Sequence, residues 1–408
     1  MNIRITPGPL EGTVTPPPSK SMAHRAILAA ALTNETSIIH NIALSQDIEA
    51  TLRCVSALGG TWKQEGDTLY VSGVWHREWD PAGLPCLDCG ESGSTLRFMI
   101  PIALTLENGG VFTGRGRLME RPQKPYFDIF DEKGISYEQK DGGLTLRGEL
   151  TPGEYRLPGN VSSQFVTGLL YALPLLAGDS EIVLTSPLES AGYVIMTENA
   201  LEKFGIIAEE QDTGWIVPGG QTYQPCDLTV EADWSQAAFW YAARFLGNPV
   251  DISGMPKYSC QGDRKLGWFY RRLEKPKNMG FPVSDCPDLV PPLAAMAALR
   301  EGYTTYMSGA ARLRIKESDR LASVTQVLNA LGAQVEEGLD FLKITGRDSL
   351  TGGVTVDCCN DHRIAMMAAI AATRCKEPVT LLGAECVQKS YPNFWEEYKR
   401  LGGIFDVL

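Results

Sequence analysis

Apolar and polar positions recur along the chain in one order: an Ala- and Leu-rich helical stretch, a glycine, and a short β-like run. These glycines, counted from the first to the last, are 75, 71, 75, 52 and 71 residues apart. Each is expected at the C′ position of a helix, where a left-handed backbone favours glycine. The pattern marks Gly59, Gly134, Gly205, Gly280, Gly332 and the pair Gly402 and Gly403.

Repeats of this length, each with two helices and several strands, are too long for a solenoid. They predict an α/β protein of two domains with three βαβ-type repeats each. The length of 408 residues agrees, because it exceeds what one hydrophobic core usually spans. No long linker separates two halves, so we expect short crossings between domains at the proline-rich segment before Lys20 and near Asp233.

Small polar residues or glycines come directly before four Ala-rich helical stretches, and a cation or hydroxyl follows each time. Free N–H groups and the positive end of the dipole make such helix starts suitable for phosphate or carboxylate. One such start is usually only a cap, but four in one chain predict anion binding. They are Ser19–Ser21 with Arg25, Gly90–Thr95 with Arg97, Ser162–Gln164 after Gly159, and Asp361–Arg363. Neither a Walker pattern nor a dinucleotide fingerprint is present, which argues against nucleotide binding.

Other cations lie in similar settings. Lys316 and Arg320 are four residues apart, so we expect them to share one helix face, with Glu317 beside them. Arg121 precedes a proline in an extended or turn geometry, and Lys389 lies in a loop before a helix. Two cations about 6 Å apart repel by roughly 3 kcal/mol at an effective dielectric near 20. We expect such a cluster to be tolerated only because multiply charged anions bind it.

Composition narrows the class of protein. Hydrophobic residues make up 44% and charged residues 21% of the chain, as in ordinary globular proteins. No apolar run is long enough for a membrane span, and the first residues resemble no targeting signal, which predicts a cytoplasmic protein. The net charge of −12 argues against nucleic acid or membrane surfaces as partners. The ten cysteines lack zinc-site spacing, so free and mostly buried thiols are expected, with no metal.

Nine segments, in this order, resemble the 5-enolpyruvylshikimate-3-phosphate synthases over nearly the whole chain. They are "KSMAHRA", "GESGSTLRF", "MERPQ", "VSSQFVTGLL", "VEADWSQAAF", "PDLVPPLAAMAA", "RIKESDRL", "NDHRIAM" and "KSYPNFW". The resemblance implies a two-domain inside-out α/β barrel with three βαβαββ motifs in each domain. It implies an N-terminal, inserted domain of residues 20–231 and a C-terminal domain of residues 1–19 plus 232–408, with the active site in the cleft between them.

The resemblance also implies the reaction. The enolpyruvyl group of phosphoenolpyruvate moves to the 5-hydroxyl of shikimate 3-phosphate, and phosphate is released through a tetrahedral intermediate. It implies no metal or organic cofactor, and we expect a monomer with no nucleic-acid or membrane partner. The residues implied for shikimate 3-phosphate are Lys20, Ser21, Arg25, Ser162, Ser163, Gln164, Ser190, Asp288 and Lys316. Those implied for phosphoenolpyruvate are Lys20, Gly93, Arg121, Gln164, Arg320, Arg363 and Lys389.

For each of the two proton transfers, the resemblance implies two candidate residues. Asp288 matches the family's aspartate that engages the ring hydroxyls and is the expected base, with Asp285 as the alternative. Either Glu317 or Lys20 is expected to donate the proton to the methylene carbon. His362 is expected to cap or orient its helix rather than to carry protons.

One position departs from the family pattern, and two rival functions remain. Glu91 stands where many members carry Asn, and we expect it to weaken a contact near phosphoenolpyruvate or to pair with Arg97. Gly93 matches the glycine that leaves room for glyphosate, so inhibition by glyphosate is expected.

One rival function is that of the related transferase acting on UDP-N-acetylglucosamine, which needs a cysteine near Arg121 that the "GRGRLMERPQ" segment lacks. The other is a non-catalytic anion-binding module.

Overall fold

The computed structural model describes residues 1–74, 83–140 and 142–408. The chain forms two compact units. Residues 20–231 form the first, here called the insert unit, and residues 1–19 together with 232–408 form the second, the terminal unit.

The insert unit contains three copies of one motif, in which two strand–helix pairs precede a two-stranded hairpin. The first copy is closed by a strand from the end of the unit: α1 (Lys20–Ala31), β3 (Thr36–His40), α2 (Gln46–Ala57), β4 (Thr61–Glu65), β5 (Thr68–Ser72) and β14 (Asp227–Thr229). The second copy is β6 (Cys86–Asp88), α3 (Gly93–Leu106), β7 (Gly109–Thr113), α4 (Lys124–Lys133), β8 (Ser136–Lys140) and β9 (Gly143–Arg147). The third copy is β10 (Gly153–Leu157), α5 (Ser163–Ala172), β11 (Ser180–Leu184), α6 (Ala191–Lys203), β12 (Glu209–Gln211) and β13 (Gly214–Val217).

The terminal unit repeats the motif, and the N-terminus of the chain supplies two of its strands. One copy is short: β2 (Gly12–Val14), α7 (Trp234–Phe245), β15 (Val250–Ile252) and α8 (Leu266–Leu273). The next is β16 (Met279–Pro282), α9 (Val290–Ala298), β17 (Thr304–Ser308), α10 (Arg320–Ala330), β18 (Gln334–Glu337) and β19 (Phe341–Thr345). The last is β20 (Thr355–Asp357), α11 (His362–Ala372), β21 (Val379–Leu382), α12 (Phe394–Arg400), β22 (Ile404–Val407) and β1 (Ile3–Thr6).

Five of the six motifs are complete, and the short one corrects the expectation of three full βαβαββ motifs in each half. Only five residues separate the end of α8 from the start of β16, too few for a hairpin. Its sheet consists of β2 and β15 alone. The prediction that Gly280 ends a helix is therefore wrong, since Gly280 lies inside β16.

The other predicted helix-ending glycines, apart from Gly403, have the expected left-handed backbone. Gly59, Gly134, Gly205, Gly332 and Gly402 have φ values of 93°, 70°, 77°, 101° and 90°. Each follows or forms the C-terminal cap of a helix. The sequence periodicity thus marks the ends of the second helix in all five complete motifs.

The complete motifs form four-stranded sheets with a common order, in which the first strand pairs in parallel with the second. In the second motif Cys86 pairs with Val111 in parallel, and Val111 pairs with Thr145 across the antiparallel β7–β9 ladder. In this motif the chain leaves β6 at its carboxyl end, Asp88, and α3 begins five residues later at Gly93. Ligands of parallel-stranded proteins commonly bind at such ends.

Helices, rather than sheets, occupy the interior of each unit. Every residue of α9 and of α11 is buried, as are nearly all of α3 and α5. Strands such as β4 and β8 are largely exposed. This arrangement agrees with the expected inside-out α/β fold.

Two further sequence expectations concern the whole chain. All ten cysteines are free thiols, and six of them are buried. None of the described helices has the length and apolar character that crossing a membrane requires.

Candidate active site

The first predicted anion site, at the start of α1, holds an ion pair within the insert unit. α1 begins at Lys20, directly after Ser19, as the sequence predicts. Lys20 Nζ lies 2.6 Å from Oδ2 of Asp47, which belongs to the first turn of α2. The cation at this helix start is thus paired with a carboxylate of the protein itself.

A chain of buried hydrogen bonds connects α1 with the start of α3. His24 Nδ1 lies 2.7 Å from Thr51 Oγ1, and Thr51 Oγ1 lies 2.8 Å from Thr95 Oγ1. Thr95 donates to Ser92 Oγ, which also accepts from the Thr95 amide and so caps α3. Sequence reasoning missed Asp47 and Thr51, although their spacing of four residues places both polar side chains on one face of α2.

His24 is uncharged in the folded protein. Burial lowers its pKa well below the usual value, and the charges of Lys20 and Arg25 lower it further. Because the unfolded chain, with a pKa near 6.5, then binds a proton that the folded chain excludes, stability falls as pH falls below about 6.5.

We expect His24→Gln to weaken this pH dependence. Between about pH 7.5 and pH 5.5, urea unfolding of the wild type is predicted to lose about 1 kcal/mol more stability than the variant. The comparison isolates His24, since all other titrating groups are shared. Identical pH dependence in the two proteins would contradict a buried neutral imidazole.

Arg25 is more enclosed than its expected role in binding a ligand carboxylate suggests. Its side chain donates to Thr197 Oγ1 at 2.9 Å and to the carbonyl oxygens of Ser21 and Tyr193 at 2.8 Å. The guanidinium also lies 5.4 Å from the centre of the Phe98 ring. Arg25 therefore joins α1 to α3 and α6, and its contact with a substrate remains a prediction.

Three of the segments quoted for the family resemblance meet at Gln164. Its side-chain oxygen accepts from Arg97 at 2.8 Å, and its amide nitrogen donates to Ser94 at 3.0 Å. Arg97 also donates to the Pro122 carbonyl at 3.1 Å. The starts of α3 and α5 and the segment after Arg121 are therefore held together around one glutamine.

Gly93 and Arg121 belong to the same cluster. A Cβ atom built on Gly93 would lie 2.8 Å from Arg121 Nη1 and 3.5 Å from Gln164 Oε1. Arg121 has the predicted extended backbone, with φ −67° and ψ 140°. The carboxylate of Glu91 lies against Gly116, where an added Cβ would be 2.6 Å from Oε2.

Ser162 and Ser163 at the start of α5, and Ser190 before α6, follow two loops that contact each other. Ser162 caps α5 by accepting from the Gln164 amide, as the sequence predicts. The amide of Gly159 donates to Ser186 Oγ, and the carbonyl of Gly159 accepts from the Glu189 amide, both at 3.0 Å. Ser190 has a left-handed backbone, φ 58°, which is uncommon outside glycine. Hydroxyls and helix-start amides thus line this part of the insert unit.

In the terminal unit, Asp288 bridges two arginines. Its Oδ1 lies 2.9 Å from Arg320 Nη1, and its Oδ2 lies 2.9 Å from Arg363 Nη2. Arg320 is 1% exposed and also contacts Glu317 at 2.5 Å and Asp361 at 2.9 Å. Asp361 caps α11 by accepting from the Arg363 amide.

The charges of this cluster shift several pKa values. Burial alone would raise the pKa of Asp288, but Arg363, Lys316 and Arg320 outweigh it, and the net pKa lies far below the usual range. Burial lowers the pKa of Lys316 to about 8. Burial, followed by the charge of Asp288, raises the pKa of nearby Asp263 to about 6. At neutral pH, Asp288 is therefore an anion held by cations, not a free base.

Lys316 and Arg320 do not share a helix face, so that prediction is wrong. Asp319 caps α10 by accepting from the Ala322 amide, and α10 consequently begins only at Arg320. Lys316 lies before this cap in an extended conformation. The charge of Lys316 nevertheless lowers the pKa of Asp288, so Lys316 lies near this carboxylate.

Lys389 and His362 lie beside the same loop. Lys389 ends a 3₁₀ helix and donates from Nζ to the Asn360 carbonyl at 2.7 Å. His362 is the first residue of α11 and is buried, consistent with a role in its helix.

Asp285, the alternative base, points elsewhere. It forms an exposed ion pair with Lys265 at 2.8 Å. The terminal unit thus gathers Asp288, Glu317, Lys316, Arg320, Arg363 and Lys389 around the starts of α10 and α11, and leaves Asp285 outside.

Among the residues that the structure describes, no group of three or more His, Cys, Asp or Glu side chains could hold a metal ion.

Comparisons with known proteins agree with these motifs. The model of the family described as EPSP synthase (3-phosphoshikimate 1-carboxyvinyltransferase) matches residues 5–398. The 3-phosphoshikimate 1-carboxyvinyltransferase of Clostridium beijerinckii is 45% identical over 99% of this chain and 98% of its own length. The enzyme of the same name from Clostridioides difficile is 42% identical, with the same coverage. The alignment of this chain with the C. beijerinckii enzyme spans 428 positions, 20 more than the 408 residues of this chain.

Solved structures show the same fold. The EPSP synthase of Acinetobacter baumannii has a TM-score of 0.81 at 24% identity, over all of both chains. An enolpyruvyl transferase from Streptomyces tendae has a TM-score of 0.77 at 17% identity, over 99% of this chain and 98% of its own. The family match and the full-length relatives together show that this chain belongs to the EPSP synthase family.

Proposed function

We propose that the anion-binding helix starts of both units bind the two substrates of the reaction for which this family is named. The chain is an enolpyruvyl transferase of the shikimate pathway. It transfers the enolpyruvyl group of phosphoenolpyruvate to the 5-hydroxyl of shikimate 3-phosphate and releases phosphate. The observation that supports the assignment of residues best is the cluster in which Arg320 and Arg363 together hold one carboxylate.

The residues proposed for shikimate 3-phosphate offer hydroxyls, amides and cations. Ser162 and Ser163 at the start of α5, and Ser190 on the adjoining loop, provide donors for a phosphate group. Lys316 adds a charge. Ser21 and Arg25 are proposed for the ring carboxylate, Gln164 and Asp288 for the ring hydroxyls, and Lys20 for contact with both substrates.

The residues proposed for phosphoenolpyruvate come from both units. Arg320 and Arg363 suit its planar carboxylate, because a guanidinium pairs with carboxylate oxygens through directional, charge-assisted hydrogen bonds. Arg121, Gln164 and Lys389 are proposed for its phosphate. Gly93 leaves space beside Arg121 that any larger side chain would take.

The proposed chemistry is an addition followed by an elimination. The methylene carbon of phosphoenolpyruvate accepts a proton from Glu317 or Lys20, while Asp288 takes the proton of the 5-hydroxyl and the oxygen attacks C2. The tetrahedral adduct then returns a proton from the methyl group to the protein and expels phosphate, which restores the double bond. Glu317 lies 2.5 Å from Arg320 and is therefore beside the proposed carboxylate site.

Phosphate release from phosphoenolpyruvate tests this function. We expect release only when shikimate 3-phosphate is also present, and none when UDP-N-acetylglucosamine replaces it. Asp288→Asn should lose turnover while it still binds shikimate 3-phosphate. Equal phosphate release by Asp288→Asn and the wild type would instead favour a site in which Asp288 takes no part.

The remaining properties belong to the same proposal. We propose a cytoplasmic monomer that needs no cofactor and has no nucleic-acid partner. The net charge of −12 supports the last point, since it disfavours a general nucleic-acid surface.

A further inference from the structure

We propose that the Asp288 side chain occupies the place of the substrate carboxylate, and that phosphoenolpyruvate displaces it from Arg320 and Arg363. This inference rests on the proposed function. It adds that a carboxylate of the protein itself competes with the carboxylate of the substrate. The competitor and the expected catalytic base are one residue. The reaction therefore frees its base only when the second substrate has bound.

The geometry of the arginine pair carries the inference. Asp288 presents one oxygen to each arginine, and both distances are 2.9 Å. A carboxylate ligand that bridges the same two guanidinium groups would accept hydrogen bonds from the same sides of both arginines. The two carboxylates compete for these donors, because an N–H that donates to an oxygen of Asp288 cannot donate to a ligand at the same time.

The arginines are fixed, so the aspartate is the partner that can leave. Arg320 is 1% exposed and held from its other sides by Asp361 and Glu317. Arg363 lies in the first turn of a fully buried helix. The Asp288 side chain is 18% exposed and lies on a short 3₁₀ turn, Pro287–Leu289. An incoming anion can therefore reach Asp288 without unfolding the cluster.

The exchange keeps the local charge balanced. The arginines lose one carboxylate and gain another, while Glu317 and Asp361 stay in place. The released Asp288 no longer accepts from two guanidinium groups, so it holds a proton more readily. Its carboxylate then becomes a suitable acceptor for the proton of the 5-hydroxyl.

Binding of phosphoenolpyruvate in the absence of shikimate 3-phosphate tests the exchange. Asp288→Ala removes the competitor, so its affinity for phosphoenolpyruvate is expected to rise at least about tenfold above that of the wild type. Asp288→Asn keeps the size of the side chain but loses the charge, and it should show a smaller rise. It also replaces the alanine variant if that protein does not fold, which thermal unfolding reports.

Two controls separate competition from a general change in charge. Asp285→Asn removes a carboxylate three residues away whose partner is Lys265, and it should leave the affinity for phosphoenolpyruvate unchanged. Inorganic phosphate lacks a carboxylate, so its affinity should change much less than that of phosphoenolpyruvate in the Asp288 variants. Calorimetric titration measures all of these affinities.

Unchanged or weaker binding of phosphoenolpyruvate to both Asp288 variants would overturn the inference, as would an equal gain for inorganic phosphate. Neither result affects the proposed function, which depends on phosphate release by the wild type with both substrates. Absence of that release would reject the function, whatever the affinities of the variants.

Discussion

Replacing Arg320 by alanine is expected to lower the free energy of unfolding by about 3–5 kcal/mol and to abolish turnover. Arg320 is 1% exposed and pairs with Asp288, Glu317 and Asp361, of which Asp361 is fully buried. Its removal leaves buried carboxylates without their cation, and burial of an unpaired charge is among the most costly changes in a protein. Urea unfolding and phosphate release measure the two effects.

Arg314→Ala is the matched control for the effect on stability. Arg314 also pairs with two carboxylates, Asp319 and Glu337, but its side chain is 30% exposed. Exposed ion pairs contribute little, so we expect a loss of about 1 kcal/mol and near-normal turnover. Arg320→Lys keeps the charge but not the three-way geometry, and it should recover part of the stability and little activity. A loss in Arg320→Ala no larger than that in Arg314→Ala would contradict the proposed importance of the cluster.

The second large effect is expected from Gly93→Ala, and it concerns activity rather than folding. The new Cβ would lie 2.8 Å from Arg121 Nη1, so the guanidinium must move. The end of a long side chain can do so at little cost in stability. A displacement of about 1 Å at a substrate-binding group can lower the rate about 100-fold, so kcat/KM for phosphoenolpyruvate should fall by about 10–100-fold. The affinity for shikimate 3-phosphate should stay unchanged.

Gly267→Ala provides the control for Gly93→Ala. Gly267 also lies in a helix, α8, and a Cβ built there meets no atom within 4 Å. Its kinetic constants are expected to match those of the wild type. Normal kinetics in Gly93→Ala would show that Arg121 does not bind substrate in this position. Inhibition of the wild type by glyphosate, expected from Gly93, remains a prediction that the same assay can test.

Local chemistry explains what the sequence predicted well. Asp361 and Ser162 cap their helices because short side chains with oxygen acceptors satisfy the free amides of a helix start. The helix-ending glycines were recognisable for a similar reason, since the left-handed conformation disfavours other residues. Gly280 was misread because the local pattern does not distinguish a glycine before a strand from one inside it.

The start of α10 was missed although its signal is also local. Asp319, directly before an apolar helical run, has the character of an N-cap, and this places Lys316 outside the helix. The spacing of four residues between Lys316 and Arg320 therefore does not reflect a shared helix face. A cap takes precedence over helical periodicity when the two disagree.

The partners of the cations could not be predicted from the sequence. Lys20 pairs with Asp47, and Arg363 pairs with Asp288, a residue 75 positions away. Such pairs depend on tertiary contacts, not on spacing. Sequence reasoning therefore expected a repulsive cluster that only ligands could neutralise. The structure instead provides carboxylates of the protein for these cations, and this finding leads to the exchange proposed for Asp288.

A crystal structure with shikimate 3-phosphate and a carboxylate-bearing analogue of phosphoenolpyruvate tests the central claim most directly. The account predicts that Arg320 and Arg363 bind the carboxylate of the analogue and that Asp288 has moved to the 5-hydroxyl of shikimate 3-phosphate. An analogue bound elsewhere, with Asp288 still bridging both arginines, would contradict it.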